Sequence, residues 1–171
     1  MRSLRLRAAS VRSEGGDMKC EHRIVIATDG SVGGLAAVDE GLALAESIGS
    51  RVTFVSVRPV PSPVLGDPYY GRALARELAR SRDALASAVE RAAKRGIDYD
   101  AESPEGSPAE EIVRLARDRR ADLVVVGSRG LGPFRAALLG TVSTAVVHRA
   151  DCPVLVARAT APAPGRTRSA A

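Results

Sequence analysis

Short apolar runs alternate with longer amphipathic stretches along most of the chain. The runs at 24–27, 52–57 and 123–126 are rich in β-branched residues, which is typical of strands buried on both faces of a parallel sheet. Between them, apolar residues recur every three or four positions, as in helices that bury one face. Five strands and four helices are predicted in strict alternation, beginning and ending with a strand. This order indicates an α/β domain with an open parallel sheet and helices on both faces.

Turn-forming residues mark the ends of the predicted helices. The first helix is expected to stop at Gly49, and a long second helix over 70–95 is expected to stop at Gly96. The stretch 107–110 (Ser-Pro-Ala-Glu) has the spacing of a capping box with proline at the first helical position. Polar and apolar residues alternate over 97–102, which predicts a half-exposed strand at a sheet edge. The face that the long helix is predicted to bury carries Leu74, Leu78, Leu85, Val89 and Ala92.

The two ends of the chain lack this periodicity. Residues 1–18 are rich in Arg, Ser and Gly and are predicted to form a disordered extension, and residues 159–171 a disordered tail. Two interpretations of residues 1–17 stay open: a flexible arm, or a stretch upstream of a true start at Met18. A single folded domain is predicted over residues 19–158.

Composition and charge narrow the class of protein. The net charge of +5 falls largely on the two ends, since residues 1–17 and 159–171 each carry +2. The rest is nearly neutral and poor in aromatic residues, which argues against a nucleic-acid binder. No apolar run approaches the roughly 18 residues of a membrane helix, and no apolar block resembles a signal peptide. With Cys20 and Cys152 isolated in the sequence, we expect a cytoplasmic protein with reduced thiols.

Two glycine clusters follow the fourth predicted strand. Gly127 and Gly130 are separated by two residues, and nine more residues lead to Gly140-Thr141 at the start of the last helix. Glycines at the carboxyl end of a buried strand lie where open α/β sheets bind ligands, and a helix start attracts anions. A P-loop needs a lysine after its glycines, and none is near; the stretch 29–34 does not match the dinucleotide-binding glycine pattern. The working hypothesis is a nucleotide phosphate site of another kind.

The glycine spacing resembles a known family. Gly127-x2-Gly130-x9-Gly140-Thr141, followed by a helix and the segment 152–156, is similar to the ATP-binding branch of the universal stress protein family. The segments 24–31 and 106–112 resemble its first strand and loop and the start of its third helix, so the likeness covers residues 20–158. It implies a Rossmann-like adenine-nucleotide-binding fold with five parallel strands in the order 3-2-1-4-5. It also implies a homodimer formed through the last strand.

The resemblance places one group of residues beside the adenine and ribose. Asp29 would make the polar contact, and Val57 would lie on the adenine side. A second interpretation of Asp29 stays open, a residue that only starts the following helix. The residues that would border the base, the ribose and the α-phosphate are Ala27, Thr28, Asp29, Val57, Val126 and Gly127.

A second group is implied to hold the phosphates. Glycine lets the backbone approach them closely, and the helix after Gly140 offers N–H donors and hydroxyls. Arg129 and Arg135 would supply positive charge in place of the missing lysine. A second interpretation of Arg129 stays open, in which its side chain faces solvent and binds no phosphate. Mg²⁺ or Mn²⁺ is expected to bind through the phosphates, with no protein ligand named. The phosphate residues are Arg129, Gly130, Gly140, Thr141, Val142 and Ser143, of which Thr141 and Ser143 have helix capping as a second role.

The predicted function is a nucleotide-dependent regulator or switch in the stress response that binds ATP. No residue stands out as a general base or nucleophile, so at most slow ATP hydrolysis is expected. The alternative is an interaction module of the same fold, with a pocket that is empty or holds AMP or cyclic AMP. An ATP-using ligase or an electron-transfer flavoprotein-like domain would need further catalytic residues or another domain.

Overall fold

Four helices alternate with the strands of one sheet. The computed structural model describes residues 4–7, 22–62, 64, 66, 68–128 and 139–159 of the 171-residue chain. The helices are α1 (Val32–Ile48), α2 (Tyr69–Lys94), α3 (Pro108–Arg119) and α4 (Thr141–Arg149). The strands are β1 (Leu4–Arg7), β2 (Arg23–Ala27), β3 (Arg51–Val55), β4 (Tyr99–Ser103), β5 (Leu123–Gly127) and β6 (Val154–Ala157).

The sheet has the order β1-β4-β3-β2-β5-β6. Strands β2 to β6 pair in parallel, and their order confirms the predicted 3-2-1-4-5 arrangement. The central strand β2 lies between β3 and β5, with Ala27 opposite Val55 at the carboxyl end of β3. The chain therefore reverses its direction of winding at β2. In open α/β sheets, ligands bind at the carboxyl edge beside such a switch point.

Helices cover both faces of the sheet, as predicted. Alternate residues of each central strand face opposite layers, so Phe54 packs with α1 and α2 while its neighbour Val55 packs with α3. Leu42 and Leu85 are the largest buried side chains that α1 and α2 contribute to the first layer. The second layer joins α3 and α4 through apolar residues that include Ile112 and Val146. The core is aliphatic apart from Phe54, so shape rather than aromatic bulk fixes the helix positions.

Strand β4 differs from the half-exposed edge that the sequence predicts. Asp100 and Glu102 are buried on it, where alternation suggested solvent-facing side chains. Both carboxylates accept hydrogen bonds from the guanidinium of Arg119 at the end of α3, and Arg51 lies 3.3 Å from Asp100. The prediction was wrong because Arg119, which lies on the next helix along the chain, pairs with these carboxylates and compensates their burial.

Residues 4–7 also depart from the prediction. The sequence predicts no regular structure over residues 1–18, yet Leu4–Arg7 form β1, which pairs antiparallel with β4. The physical reason is that β4 ends the parallel part of the sheet and leaves its outer N–H and C=O groups in need of a partner strand. The other residues of this extension, and those from 160 onward, lie outside the described part of the chain.

The helix ends follow the predicted turn residues, with two differences. Gly49 adopts a left-handed conformation (φ 64°) and caps α1, as expected. Ser107 precedes α3 with proline at the first position, but its side chain makes no capping hydrogen bond. On α2, Leu78 is 43% exposed although it was predicted to be buried. The inner face of α2 is turned by one residue there, so Glu77 faces the interior instead.

Candidate functional site

A cavity of about 250 Å³ opens at the carboxyl edge of the sheet. It lies where β2, β3 and β5 end, beside the switch point in the strand order. Helices from both layers complete its walls. Its lining consists of Ala27, Thr28, Asp29, Gly34, Val55, Ser56, Val57, Pro59, Glu77, Arg80, Ser81, Pro108, Ile112, Val126, Gly127, Val142 and Ser143.

The turn after β2 is held by its own side chains. The Asp29 carboxylate accepts a hydrogen bond from the Ser31 N–H at 3.0 Å, and Thr28 Oγ1 accepts one from the Gly30 N–H at 3.3 Å. Ser31 in turn caps α1, since its hydroxyl accepts from the Gly34 N–H at 3.0 Å. Asp29 thus has both predicted characters: it organises the helix entry and it lines the cavity.

The end of β5 packs directly on the first turn of α1. A Cβ atom at Gly127 would lie 2.5 Å from the carbonyl carbon and oxygen of Gly33 and 3.0 Å from the Gly34 nitrogen. These contacts are with main-chain atoms, which cannot rotate away. Gly127 is therefore required by helix-on-strand packing, in addition to any role at the cavity that it lines.

The loop between β5 and α4 is closed at its two ends. The Gly140 N–H donates to the Ser128 carbonyl at 2.7 Å, and the Ser128 N–H donates to the Ala157 carbonyl on β6, also at 2.7 Å. The buried Ser143 hydroxyl lies within hydrogen-bonding distance of the carbonyls of both Ser128 and Gly140. The two ends of the glycine-spaced segment are thereby brought together beside the cavity.

The start of α4 differs from the start of α1. Its N-terminal cap is Gly140, and no side-chain hydrogen bond caps it among the described residues. The first helical bond in α4 runs from the Thr144 N–H to the Gly140 carbonyl. The N–H groups of Thr141, Val142 and Ser143 come before it and have no partner within the helix. A helix end of this kind carries partial positive charge at the cavity wall.

Most of the predicted site residues meet at this cavity. Gly140 and Thr141 do not line it, but they begin the helix whose next two residues do. Arg129, Gly130 and Arg135 lie outside the described residues. The predicted residues that line the cavity are Ala27, Thr28, Asp29, Val57, Val126, Gly127, Val142 and Ser143.

A polar wall on α2 was not predicted. Glu77, Arg80 and Ser81 line the side of the cavity next to β3, opposite the α4 side. The sequence carried a weak signal for it, since polar residues interrupt the face that continues as Ala84, Leu85 and Ala88. The other lining residues missed from sequence are Gly34, Val55, Ser56, Pro59, Pro108 and Ile112.

The described side chains offer weak candidates for catalysis. Cys152 lies outside the cavity lining, and its burial, helped by the charge of Asp151, raises the pKa of its thiol above the ordinary value. A raised pKa keeps the thiol protonated at neutral pH and therefore poorly nucleophilic. Within the described ranges, no group of three His, Cys, Asp or Glu side chains is arranged to hold a metal ion. None of the helices described is both long and apolar enough to cross a membrane.

The sheet order, the two helical layers and the carboxyl-edge cavity define a doubly wound α/β protein with a Rossmann-like fold. Within this class, the model of the universal stress protein family matches residues 21–158. The chain belongs to this family. The match spans every described element except β1.

Curated relatives support the assignment over nearly their whole length. A universal stress protein of Thermus aquaticus is 39% identical over 137 residues, which cover 79% of this chain and 97% of the relative. A second, from Methanocaldococcus jannaschii, is 37% identical over 139 residues, which cover 80% of this chain and 81% of the relative.

Solved structures share the fold. The universal stress protein UspA from Lactobacillus plantarum superposes with a TM-score of 0.72 at 26% identity and covers 80% of this chain and 97% of its own. A universal stress protein in complex with cAMP superposes with a TM-score of 0.58 at 29% identity, covering 81% of this chain and 98% of its own.

Proposed function

We propose that this protein is a cytoplasmic, nucleotide-dependent regulator or switch of the stress response that binds ATP in the carboxyl-edge cavity. The observation that carries the proposal is the pairing of two unlike walls in one cavity. The side next to β3 combines apolar residues with polar side chains of α2; the other side presents the start of α4, which has no side-chain cap among the described residues, beside β5. An adenine nucleotide has the same division, a flat base at one end and anionic phosphates at the other.

The β3 side suits the base. Val55, Val57 and Pro59 provide apolar surface there, with Pro108 and Ile112 from α3 opposite them. We call this group, together with Ser56, Glu77, Arg80 and Ser81, the base end of the cavity. A cavity of about 250 Å³ lies near the lower limit for small-molecule sites. It accommodates a nucleoside and leaves the phosphates toward the loop that precedes α4.

The β5 side suits the phosphates. The first-turn N–H groups of α4 have no partner within the helix, so they are the donors that anions take at helix starts, and Gly140 keeps the approach open. The Ser143 hydroxyl already contacts the Ser128 and Gly140 carbonyls, so we assign it to holding the loop ends rather than to the phosphates. Arg129 and Gly130 are proposed phosphate contacts on the sequence motif alone. Mg²⁺ or Mn²⁺ would bind through phosphate oxygens and neutralise their charge.

The second candidate ligand is cyclic AMP or AMP. The relative of known structure that is 29% identical to this chain is described in complex with cAMP. The base end would serve either ligand, whereas only a polyphosphate needs the whole span from Gly127 to α4. The glycine spacing therefore favours ATP, and the cyclic nucleotide belongs in the same binding experiment. The sequence singles out no general base or nucleophile, so we propose that any hydrolysis is slow.

We also propose a homodimer that forms through β6. Among the described strands, β6 ends the sheet and pairs with β5 on one side. Its Leu155 is exposed, as is Val147 on the neighbouring helix α4. An exposed apolar edge strand is ready to pair with a second copy of itself.

Binding is tested on the full-length protein purified without added nucleotide. Heat denaturation should release a bound adenine nucleotide, and nucleotide-free protein should gain thermal stability with ATP and Mg²⁺. At a ligand concentration 100 times Kd, the gain is about 2.7 kcal/mol. Cyclic AMP and AMP are titrated in parallel. Absence of released nucleotide together with no thermal shift from any of the three would support the interaction module instead.

The phosphate end is tested with Gly140→Val. Gly140 has an extended conformation (φ −75°, ψ 164°) that valine adopts without strain, so the fold should survive. The valine side chain would crowd the approach to the α4 N–H groups, and we expect ATP binding to be lost in calorimetry. Gly140→Ala serves as the milder control and should bind weakly. A folded valine variant with unchanged ATP affinity would remove Gly140 from the site.

A further inference from the structure

The inner face of α2 becomes polar where it reaches the cavity. From Ala84 toward the end of the helix this face is buried and apolar, but one turn and two turns earlier it carries Ser81 and Glu77. Glu77 is partly buried while its neighbour Leu78 is exposed, so the charged residue is the less exposed of the two. A helix seldom turns an apolar residue outward and a charge inward without a partner for the charge.

Arg80 is one partner of the Glu77 carboxylate. Its Nη1 atom lies 3.1 Å from one carboxylate oxygen of Glu77 and 3.4 Å from the other. The guanidinium holds the carboxylate from one side, and both residues line the cavity. An ionised carboxylate accepts about four hydrogen bonds, so it retains acceptor positions on the cavity side. Glu77 is thus an oriented hydrogen-bond acceptor at the base end.

The position of this acceptor is set by a buried network. The Ser81 hydroxyl donates to the Ser56 carbonyl at 3.1 Å and lies 2.6 Å from the Ser103 hydroxyl on β4. Ser103 is also held by Arg58, whose Nε donates to its hydroxyl at 3.0 Å. These contacts tie α2 to the ends of β3 and β4. Glu77 lies one helical turn from Ser81, so these contacts also fix the position of Glu77 in the cavity wall.

We propose that Glu77, oriented by Arg80, selects purines that carry an amino group at position 6 over those that carry a carbonyl. This inference rests on the proposed nucleotide site and assigns its base specificity. A carboxylate accepts a hydrogen bond from the 6-amino group of adenine and repels the carbonyl oxygen of hypoxanthine or guanine. The location favours the base over the ribose phosphates, because α2 packs on β3 and β4 whereas α4 packs on β6, toward the other end of the sheet.

The test compares ATP with inosine triphosphate (ITP), whose base carries a 6-carbonyl and an N1–H in place of the 6-amino group and unprotonated N1 of adenine. Binding of each nucleotide with Mg²⁺ to the full-length protein is measured by calorimetry. For each variant, the preference ratio is the Kd for ITP divided by the Kd for ATP. Wild type should prefer ATP by about 10- to 100-fold, the value of one hydrogen bond to a charged group. Taking the ratio cancels any general loss of stability in a variant.

Glu77→Gln removes the charge and adds an amide donor, so the preference ratio of this variant, its Kd for ITP divided by its Kd for ATP, should fall toward unity. Arg80→Gln should lower the ratio as well, since the carboxylate loses its orientation. The matched control is Glu90→Gln, the same change on an exposed residue of the same helix that pairs with Lys94. It should keep the wild-type ratio.

The outcomes separate this inference from the function on which it rests. Binding of neither nucleotide by wild type would overturn both. Equal binding of ATP and ITP by wild type, or a Glu77→Gln variant that weakens both nucleotides equally, would overturn the specificity role and leave the nucleotide site standing. A ratio that collapses in Glu77→Gln but not in Glu90→Gln supports it.

Discussion

Glycine 127 shows how one residue serves two requirements. The sequence motif associates it with phosphate binding, whereas the structure places it against main-chain atoms of Gly33 and Gly34. The close contact joins the end of β5 to the start of α1, and both border the same cavity. The residue therefore sets the distance between two walls of the site before any ligand is bound.

We expect Gly127→Ala to destabilise the fold. The added methyl would lie 2.5 Å from the Gly33 carbonyl carbon and oxygen, and backbone must move to admit it. The free energy of unfolding should fall by about 1–3 kcal/mol, as for other overpacked sites. Equilibrium unfolding in urea, without nucleotide, measures the change.

The control is Gly71→Ala in α2. A Cβ at this glycine has nothing within 4 Å, so the variant should match wild type or gain up to about 1 kcal/mol of helix stability. Equal stability of Gly127→Ala and wild type would show that the contact relaxes freely, and the packing requirement would then be wrong.

At the scale of elements, α3 and β4 are joined by charge rather than by apolar packing alone. Arg119, in the last turn of α3, donates to both buried carboxylates of β4, those of Asp100 and Glu102. Removing one member of a buried ionic group leaves charge that is poorly compensated in a region with little water. Surface ion pairs on the same helix lack this property.

Arg119→Ala should therefore lower the free energy of unfolding by up to about 3 kcal/mol, because Glu102 loses this guanidinium while Asp100 keeps Arg51 at 3.3 Å. Arg114→Ala is the matched control, because Arg114 lies on the same helix and its partners Glu111 and Asp118 include an exposed carboxylate. Its cost should stay below about 1 kcal/mol. Similar urea midpoints for the two variants would contradict a structural role for the buried group.

For the whole molecule, the two edges of the sheet differ. On one side β1 covers β4, while on the other side β6 leaves its outer edge facing away from β5. A homodimer therefore has one suitable edge among the described strands. Since β5 and the start of α4 are close to β6, association at this edge would also steady the phosphate end of the cavity.

Leu155→Lys should convert a dimer into a monomer, because a charge buried in an apolar interface is costly. The control is Leu78→Lys, which changes an equally exposed leucine on α2; the exposed fractions are 39% for Leu155 and 43% for Leu78. Light scattering coupled to size exclusion gives the mass of each variant. A wild-type monomer, or a dimer that tolerates Leu155→Lys, would show that β6 is not the interface.

The sequence by itself determined the order of elements, the parallel sheet and much of the cavity lining. It did so because buried parallel strands are continuous apolar runs and because loops at their carboxyl ends must meet at one edge. The family resemblance supplied the strand order. This order predicts that residues 27–29 and 126–127 lie close together, at the ends of neighbouring strands. The role of Gly127 in packing was not visible, since nothing local distinguishes a glycine near a ligand from one near another backbone.

Only the tertiary structure decided the charged positions. Periodicity placed Leu78 on the buried face of α2 and the β4 carboxylates in solvent, and both predictions were wrong. The burial of Glu102 depends on Arg119, which lies on the next helix, whereas Glu77 pairs with Arg80 on its own helix and lines a cavity formed by several elements. Helical and strand periods report which residues share a face, but the packing of whole elements decides what that face contacts.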